Sequence, residues 1–139
     1  MKKLVLFALL LGFVFTAQAQ QAPAEPQTKS TFAAFTWDSS VHDFGKIKQG
    51  TPVTHEFKFT NTGKAPLIIT NVQASCGCTT PSWTKEEVMP GGSGFIKATY
   101  NAAAVGQFNK TITVTANIES GFVQLTIKGE VQNPGAVQQ

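Results

Sequence analysis

Apolar and polar residues alternate with a period of two along much of this chain, and that pattern commits it to β structure. Val53, His55, Phe57 and Phe59 alternate with Thr54, Glu56, Lys58 and Thr60. Ile112, Val114 and Ala116 alternate with Thr111, Thr113 and Thr115, and Val123, Leu125, Ile127 and Val131 with Gln124, Thr126, Lys128 and Glu130. Successive strand side chains point to opposite faces, so each stripe buries one face and leaves the other to water. Leu67 to Val72 and Phe95 to Tyr100 are more continuous apolar runs that add strands, and Phe35 to Trp37 with Val41 to Phe44 supply the first one or two. No stretch reads as a convincing amphipathic helix.

The punctuation between these runs agrees. Asn61-Thr62-Gly63, Pro90-Gly91-Gly92 and Glu119-Ser120-Gly121 fall between strands and offer Gly or Asn where a positive φ is needed. Pro66 stands at a strand start, where a missing N–H does least harm. About seven strands in roughly 100 residues predict an all-β fold, an immunoglobulin-like antiparallel β-sandwich. The inter-sheet disulfide of antibody domains is excluded. Cys76 and Cys78 are the only cysteines, and a pair two residues apart cannot bridge sheets about 10 Å apart.

The ends of the chain have a different composition. Lys2 and Lys3, the apolar run Leu4 to Phe15 and the small-residue pattern Ala17-Gln18-Ala19 predict a secretory signal peptide over 1–19, with the mature chain starting at Gln20. The run is too short to span a bilayer, which takes about 20 helical residues, so no membrane span is expected after cleavage. No cysteine follows the cleavage site to carry a lipid anchor. Residues 20–33 are rich in Gln, Ala, Pro, Thr and Ser and predict a disordered linker. The domain is expected over 34–132, with 133–139 a frayed tail. Without Lys2 and Lys3 the chain has nine lysines against eight carboxylates and no arginine. A net charge near +1 without Arg forks argues against nucleic-acid or phosphate binding.

The one motif that carries chemistry is Ser75-Cys76-Gly77-Cys78-Thr79-Thr80. In an exported protein a Cys76–Cys78 disulfide is the default. Extended residues i and i+2 have Cα atoms about 6.6 Å apart, and disulfides prefer about 5.5–6 Å and tolerate up to about 6.8 Å, so the geometry permits the bond only narrowly, with Gly77 free to pinch the chain tighter. Loop entropy credits so small a ring with only about 1.6 kcal/mol, and a strained bond of this kind is easier to reduce. A structural turn bridge, a redox-active or partner-bonding pair, and a pair of metal ligands all remain open. The metal alternative needs further ligands, and His42, His55 and Met89 are the candidates, a set suited to Cu(I). His55, however, continues a half-buried stripe, and His42 sits beside an expected edge strand.

Other candidate chemistry is thinner. Asp38, Asp43, Glu86 and Glu87 are the carboxylates that could be paired for hydrolysis, but Glu86-Glu87 reads as a solvated turn. A cysteine nucleophile would need a base that the sequence does not place. Pro81-Ser82-Trp83, directly after the motif, is expected to form an exposed aromatic loop, so Ser75, Gly77, Thr79, Thr80, Pro81 and Trp83 are the expected binding edge.

Val41-His42-Asp43-Phe44-Gly45-Lys46-Ile47, the run His55 to Gly63, Pro66-Leu67-Ile68-Ile69, the Cys76-Gly77-Cys78 motif and Pro90-Gly91-Gly92 occur in that order. In this the chain resembles the bacterial family called domain of unknown function 1573, which is similar to Hydin-type and major-sperm-protein-type Ig-like modules. The resemblance runs over residues 36–132 and implies an exported Ig-like domain with no established activity. Together these readings predict a non-catalytic interaction module of the bacterial cell envelope, with no cofactor. Its expected partner is an envelope protein, a polysaccharide, or a second copy joined through sheet edges. The alternative is a thiol-redox or copper-handling protein using Cys76 and Cys78, with His42 or His55.

Overall fold

A computed structural model describes residues 31–135. The expected signal peptide, the linker before residue 31 and the tail beyond residue 135 lie outside the described residues. Eight strands and no helix occupy the described chain: β1 (Phe35–Trp37), β2 (Val41–Lys48), β3 (Val53–Asn61), β4 (Ile69–Ala74), β5 (Thr79–Trp83), β6 (Ser93–Tyr100), β7 (Gly106–Ala116) and β8 (Phe122–Gln132). They form two four-stranded sheets, ordered β1-β3-β6-β5 and β2-β8-β7-β4. This is the immunoglobulin-like sandwich that the alternation predicts.

The first strand is split in two, and the strand beyond the seven that the alternation offers is β5, where a loop was expected. β1 pairs antiparallel with β3, and the chain then crosses to the other sheet, where β2 pairs parallel with β8. The period-two stripes became the core. Phe57 and Phe59 from β3, Ile96 and Ala98 from β6, Ile112 and Val114 from β7, and Leu125 and Ile127 from β8 are buried between the sheets. Each large apolar side chain so buried contributes roughly 1.5–3 kcal/mol against an exposed one.

Several local expectations are corrected. The run at Leu67–Val72 starts later as a ladder strand: Leu67 bridges Val88, and the β4–β7 ladder begins at Ile69, with a bulge between Ile69 and Asn71. The Asn117 side chain fixes this entry, accepting from Ile68 N at 2.7 Å and donating to Pro66 O at 2.8 Å. Ala33, placed in the linker by composition, is buried and bridges Ile118. Ordered packing therefore reaches back at least to Ala33. Asn61 is not a turn residue of positive φ but the last residue of β3.

Candidate functional site

The Cys76-Gly77-Cys78 motif forms the crossing from β4 to β5, edge strands of opposite sheets. The two sulfurs are bonded, with Cα atoms 5.3 Å apart. Backbone hydrogen bonds hold the crossing from both sides. Ser75 N donates to Thr111 O at 2.9 Å, and Thr111 N donates to Ser75 Oγ at 3.2 Å. Asn101 N donates to Cys78 O at 3.0 Å, which ties the crossing to the end of β6. Gly77 is exposed, its φ is not left-handed, and a Cβ there would meet nothing within 4 Å. The expectation that the pinch depends on glycine is thus corrected, because any residue can adopt this backbone. Thr79 is 4% exposed and its hydroxyl has no hydrogen-bond partner.

The expected exposed aromatic loop is also corrected. Thr79–Trp83 is strand β5, paired with β6 from Thr79↔Tyr100 to Trp83↔Ile96. Trp83 is half-buried against the core, and Lys85 Nζ sits 3.0 Å from its ring centroid. Pro81 is tolerated because β5 is paired on one side only. Thr80 and Ser82 are the exposed side chains of this edge.

His42 and His55 are brought together, though not with the cysteines. Their rings stack at 3.6 Å between centroids, 6° from parallel, across the gap between β2 and β3. Phe44 meets the His42 ring edge-on at 4.5 Å and Phe57 meets the His55 ring at 4.6 Å. Burial, and then the neighbouring His42, push the His55 pKa below its ordinary 6.5, against an opposing pull from Glu56. Among the described residues no three His, Cys, Asp or Glu side chains converge on a common point. The alternative ligand set of Cys76, Cys78 and a histidine is therefore not assembled, and Met89 is an exposed side chain. Asp43 faces Lys128 at 3.8 Å, and Glu56 faces Lys97 at 3.4 Å.

At the other end of the sandwich lies an arrangement that the sequence did not reveal. Asn61 is 0% exposed, and its side chain uses its hydrogen-bonding capacity in full. Oδ1 accepts from Ala34 N at 3.3 Å and Gly63 N at 3.0 Å, while Nδ2 donates to Ala65 O and Val88 O, both at 2.8 Å. Its backbone closes onto Gly91 and Gly92 at 2.7 and 2.9 Å. Gly63 packs so closely that a Cβ would lie 2.5 Å from Ala34 N.

Over this junction opens an apolar groove of about 700 Å³ between β1 and the β7–β8 hairpin. Phe35 and Trp37 stack at 4.8 Å along it, and both pack edge-on against Phe59. Phe32 and Phe122 line it while 49% and 53% exposed. Lys64 and Glu119 give it a charged rim. Composition placed Phe32 in the linker, and Trp37 reads as the end of the first expected strand. A second aromatic near the domain start was the one available signal.

The fold defines an Ig-like, PapD-like β-sandwich. The chain belongs to the family described as Protein of unknown function (DUF1573), whose pattern matches residues 35–131. Among solved structures it is similar to a protein of unknown function from Porphyromonas gingivalis W83, with TM-score 0.65 and 19% identity over 76% of this chain. This chain spans 50% of that protein's length. It is also similar to the ASH/PapD-like domain of human CEP192, with TM-score 0.62 and 9% identity, covering 83% of this chain and 96% of that one. A third likeness is to the secreted serine protease VesC of Vibrio cholerae, with TM-score 0.54 and 16% identity, over 73% of this chain and 23% of that one. No curated protein matches. Identities this low speak for the fold alone. No helix among the described residues is long and apolar enough to cross a membrane.

Proposed function

We propose that this chain is an exported, non-catalytic interaction module of the bacterial cell envelope that binds a partner protein through its apolar groove. Export rests on Lys2, Lys3, the apolar run to Phe15 and Ala17-Gln18-Ala19. The observation that carries the binding reading is the pair of half-exposed phenylalanines, Phe32 and Phe122, over an aromatic floor. Contiguous exposed apolar surface with a polar rim is the usual anatomy of a protein contact.

The groove is a better docking place than the sheet edges first expected. Pro81 interrupts edge β5, a bulge interrupts edge β4, and a further irregularity at Asp43/Lys46 interrupts edge β2. Such features blunt an edge against strand addition. The partner would offer apolar side chains to the aromatic floor and tolerate Lys64 and Glu119 at the rim. Capture from an envelope extract by the exported chain and by its Phe122→Ser variant tests this. Loss of a captured protein in the variant, at unchanged melting temperature, is expected. Equal capture by both would overturn the groove reading, and hydrolytic turnover by the purified chain would overturn the non-catalytic one.

A further inference from the structure

The Cys76–Cys78 bond is poorly explained as a staple. The crossing from β4 to β5 is already held by hydrogen bonds from Ser75 to Thr111 on one sheet and from Asn101 to Cys78 on the other. A ring of three residues removes little freedom from the unfolded chain. The glycine inside the ring is not needed for its backbone, and the space above it is bare. The two cysteines also differ. Both are half-buried, but Cys78 packs against the hydrophobic core, whereas Cys76 lies between exposed Ser75 and exposed Gly77. Cys78 is thus backed by core side chains, and Cys76 is not among the residues packed against that core.

We propose that Cys76–Cys78 is a thiol-exchange site, in which a thiolate of an exported dithiol protein attacks Cys76 Sγ and Cys78 is the leaving group. The attack forms a mixed disulfide between the partner and Cys76 and breaks the Cys76–Cys78 bond. The electron pair of that bond leaves on Cys78 Sγ, which takes a proton from water. The partner's second thiolate then attacks its own sulfur in the mixed disulfide. The partner is left with a disulfide, and Cys76 leaves as a thiolate that is protonated in turn. Two electrons and two protons have passed from the partner dithiol to the cysteine pair, and the same steps in reverse pass a disulfide back. The fold supports this because the hydrogen bonds at Ser75 and Asn101 hold the crossing whether or not the sulfurs are joined. An approaching chain meets no side chain at Gly77. This chain has no third cysteine, so the exchange is between molecules. The inference rests on export for its oxidising surroundings and does not depend on the groove.

The test uses the purified exported chain in millimolar glutathione buffers of graded reduced-to-oxidised ratio, quenched by alkylation and weighed by mass spectrometry. Reduced and oxidised chains are expected to coexist within that range, with the near-ultraviolet dichroism of the fold unchanged. A pair that stays fully oxidised in excess reduced glutathione would overturn the proposal, as would reduction that unfolds the chain. The second arm assigns the sulfurs. Cys78→Ser leaves Cys76 free, and Cys76→Ser leaves Cys78 free. With oxidised glutathione as probe, Cys76 is expected to form the mixed disulfide at least about tenfold faster than Cys78, because access to the sulfur limits exchange. Equal rates, or a faster Cys78, would overturn the assignment of Cys76. Neither arm uses the groove or a cellular partner, so its failure is distinct from failure of the binding reading.

Discussion

The two ends of the sandwich are held in opposite ways. At one end a covalent bond, Cys76–Cys78, spans a crossing that backbone hydrogen bonds already fix. At the other a single amide, Asn61, collects the entry to β1, the turn after β3 and the loop before β6 through four side-chain hydrogen bonds. The weaker kind of bond makes the stronger joint. A buried polar group whose partners depend on it is costly to remove, whereas a short covalent ring constrains an unfolded chain that was barely free to wander there. Stability is decided by what is orphaned on removal, not by the strength of the bond removed.

Substitutions at the two ends can break this contrast. Asn61→Ala should have the largest effect, a loss of about 3–5 kcal/mol or failure to fold, since it empties a fully buried site and leaves Ala34 N, Gly63 N and Ala65 O without their partner at half-buried positions. Urea unfolding of the variant measures it, and a loss under 1 kcal/mol would dissolve the contrast. Gly63→Ala should cost about 1–3 kcal/mol, because its Cβ must displace backbone at Ala33 and Ala34. The same measurement on Cys76→Ser/Cys78→Ser should show at most about 2 kcal/mol, with the fold retained. A double variant that cannot fold would reverse the ranking of the two ends.

A third joint, the His42–His55 stack between the sheets, should respond to acid. Because the His55 pKa lies below 6.5 in the folded chain, the unfolded chain binds more protons under that pH. Stability should therefore be full above about 6.5 and fall as pH drops from there toward the lower folded value. Comparing the wild type with His55→Phe between pH 7.5 and 5.5 checks this, and the variant should show the flatter profile. The smallest effect is expected from Thr79→Val, which removes an unpartnered buried hydroxyl at nearly constant shape. It should be neutral or stabilising by up to about 1 kcal/mol, and a clear loss would mean that the hydroxyl has a partner in solution.

Which of these features the sequence disclosed follows from how local each one is. β3, β7 and β8 were legible because their alternation is written in consecutive residues, and the half-buried place of His55 came with it. The stacking of His55 on His42 was not legible, because it depends on β2 leaving one sheet for the other after Trp37. Asn61 in Asn-Thr-Gly reads as turn chemistry. Its burial comes from three loops meeting over it, which no window of sequence contains. Pro81-Ser82 likewise suggested a loop, and only the one-sided pairing of β5 lets a proline sit in a strand there. The Cys motif was visible at once, but the independence of its crossing from the disulfide required Ser75, Thr111 and Asn101 to be placed.

The parallel pairing of β2 with β8 has a mechanical consequence. One strand lies near the entry of the domain and the other at its exit, and they run side by side in the same direction from Val41↔Thr126 to Lys48↔Gln132. Tension applied to the two flanking segments pulls these strands past each other lengthwise, so the ladder resists as a set instead of opening like a zipper. A tether anchored at one end and loaded at the other would reach this ladder once the short β1 has come away from β3, and stretching the chain between a surface and a cantilever should show a force peak that Pro substitution at Lys46 lowers.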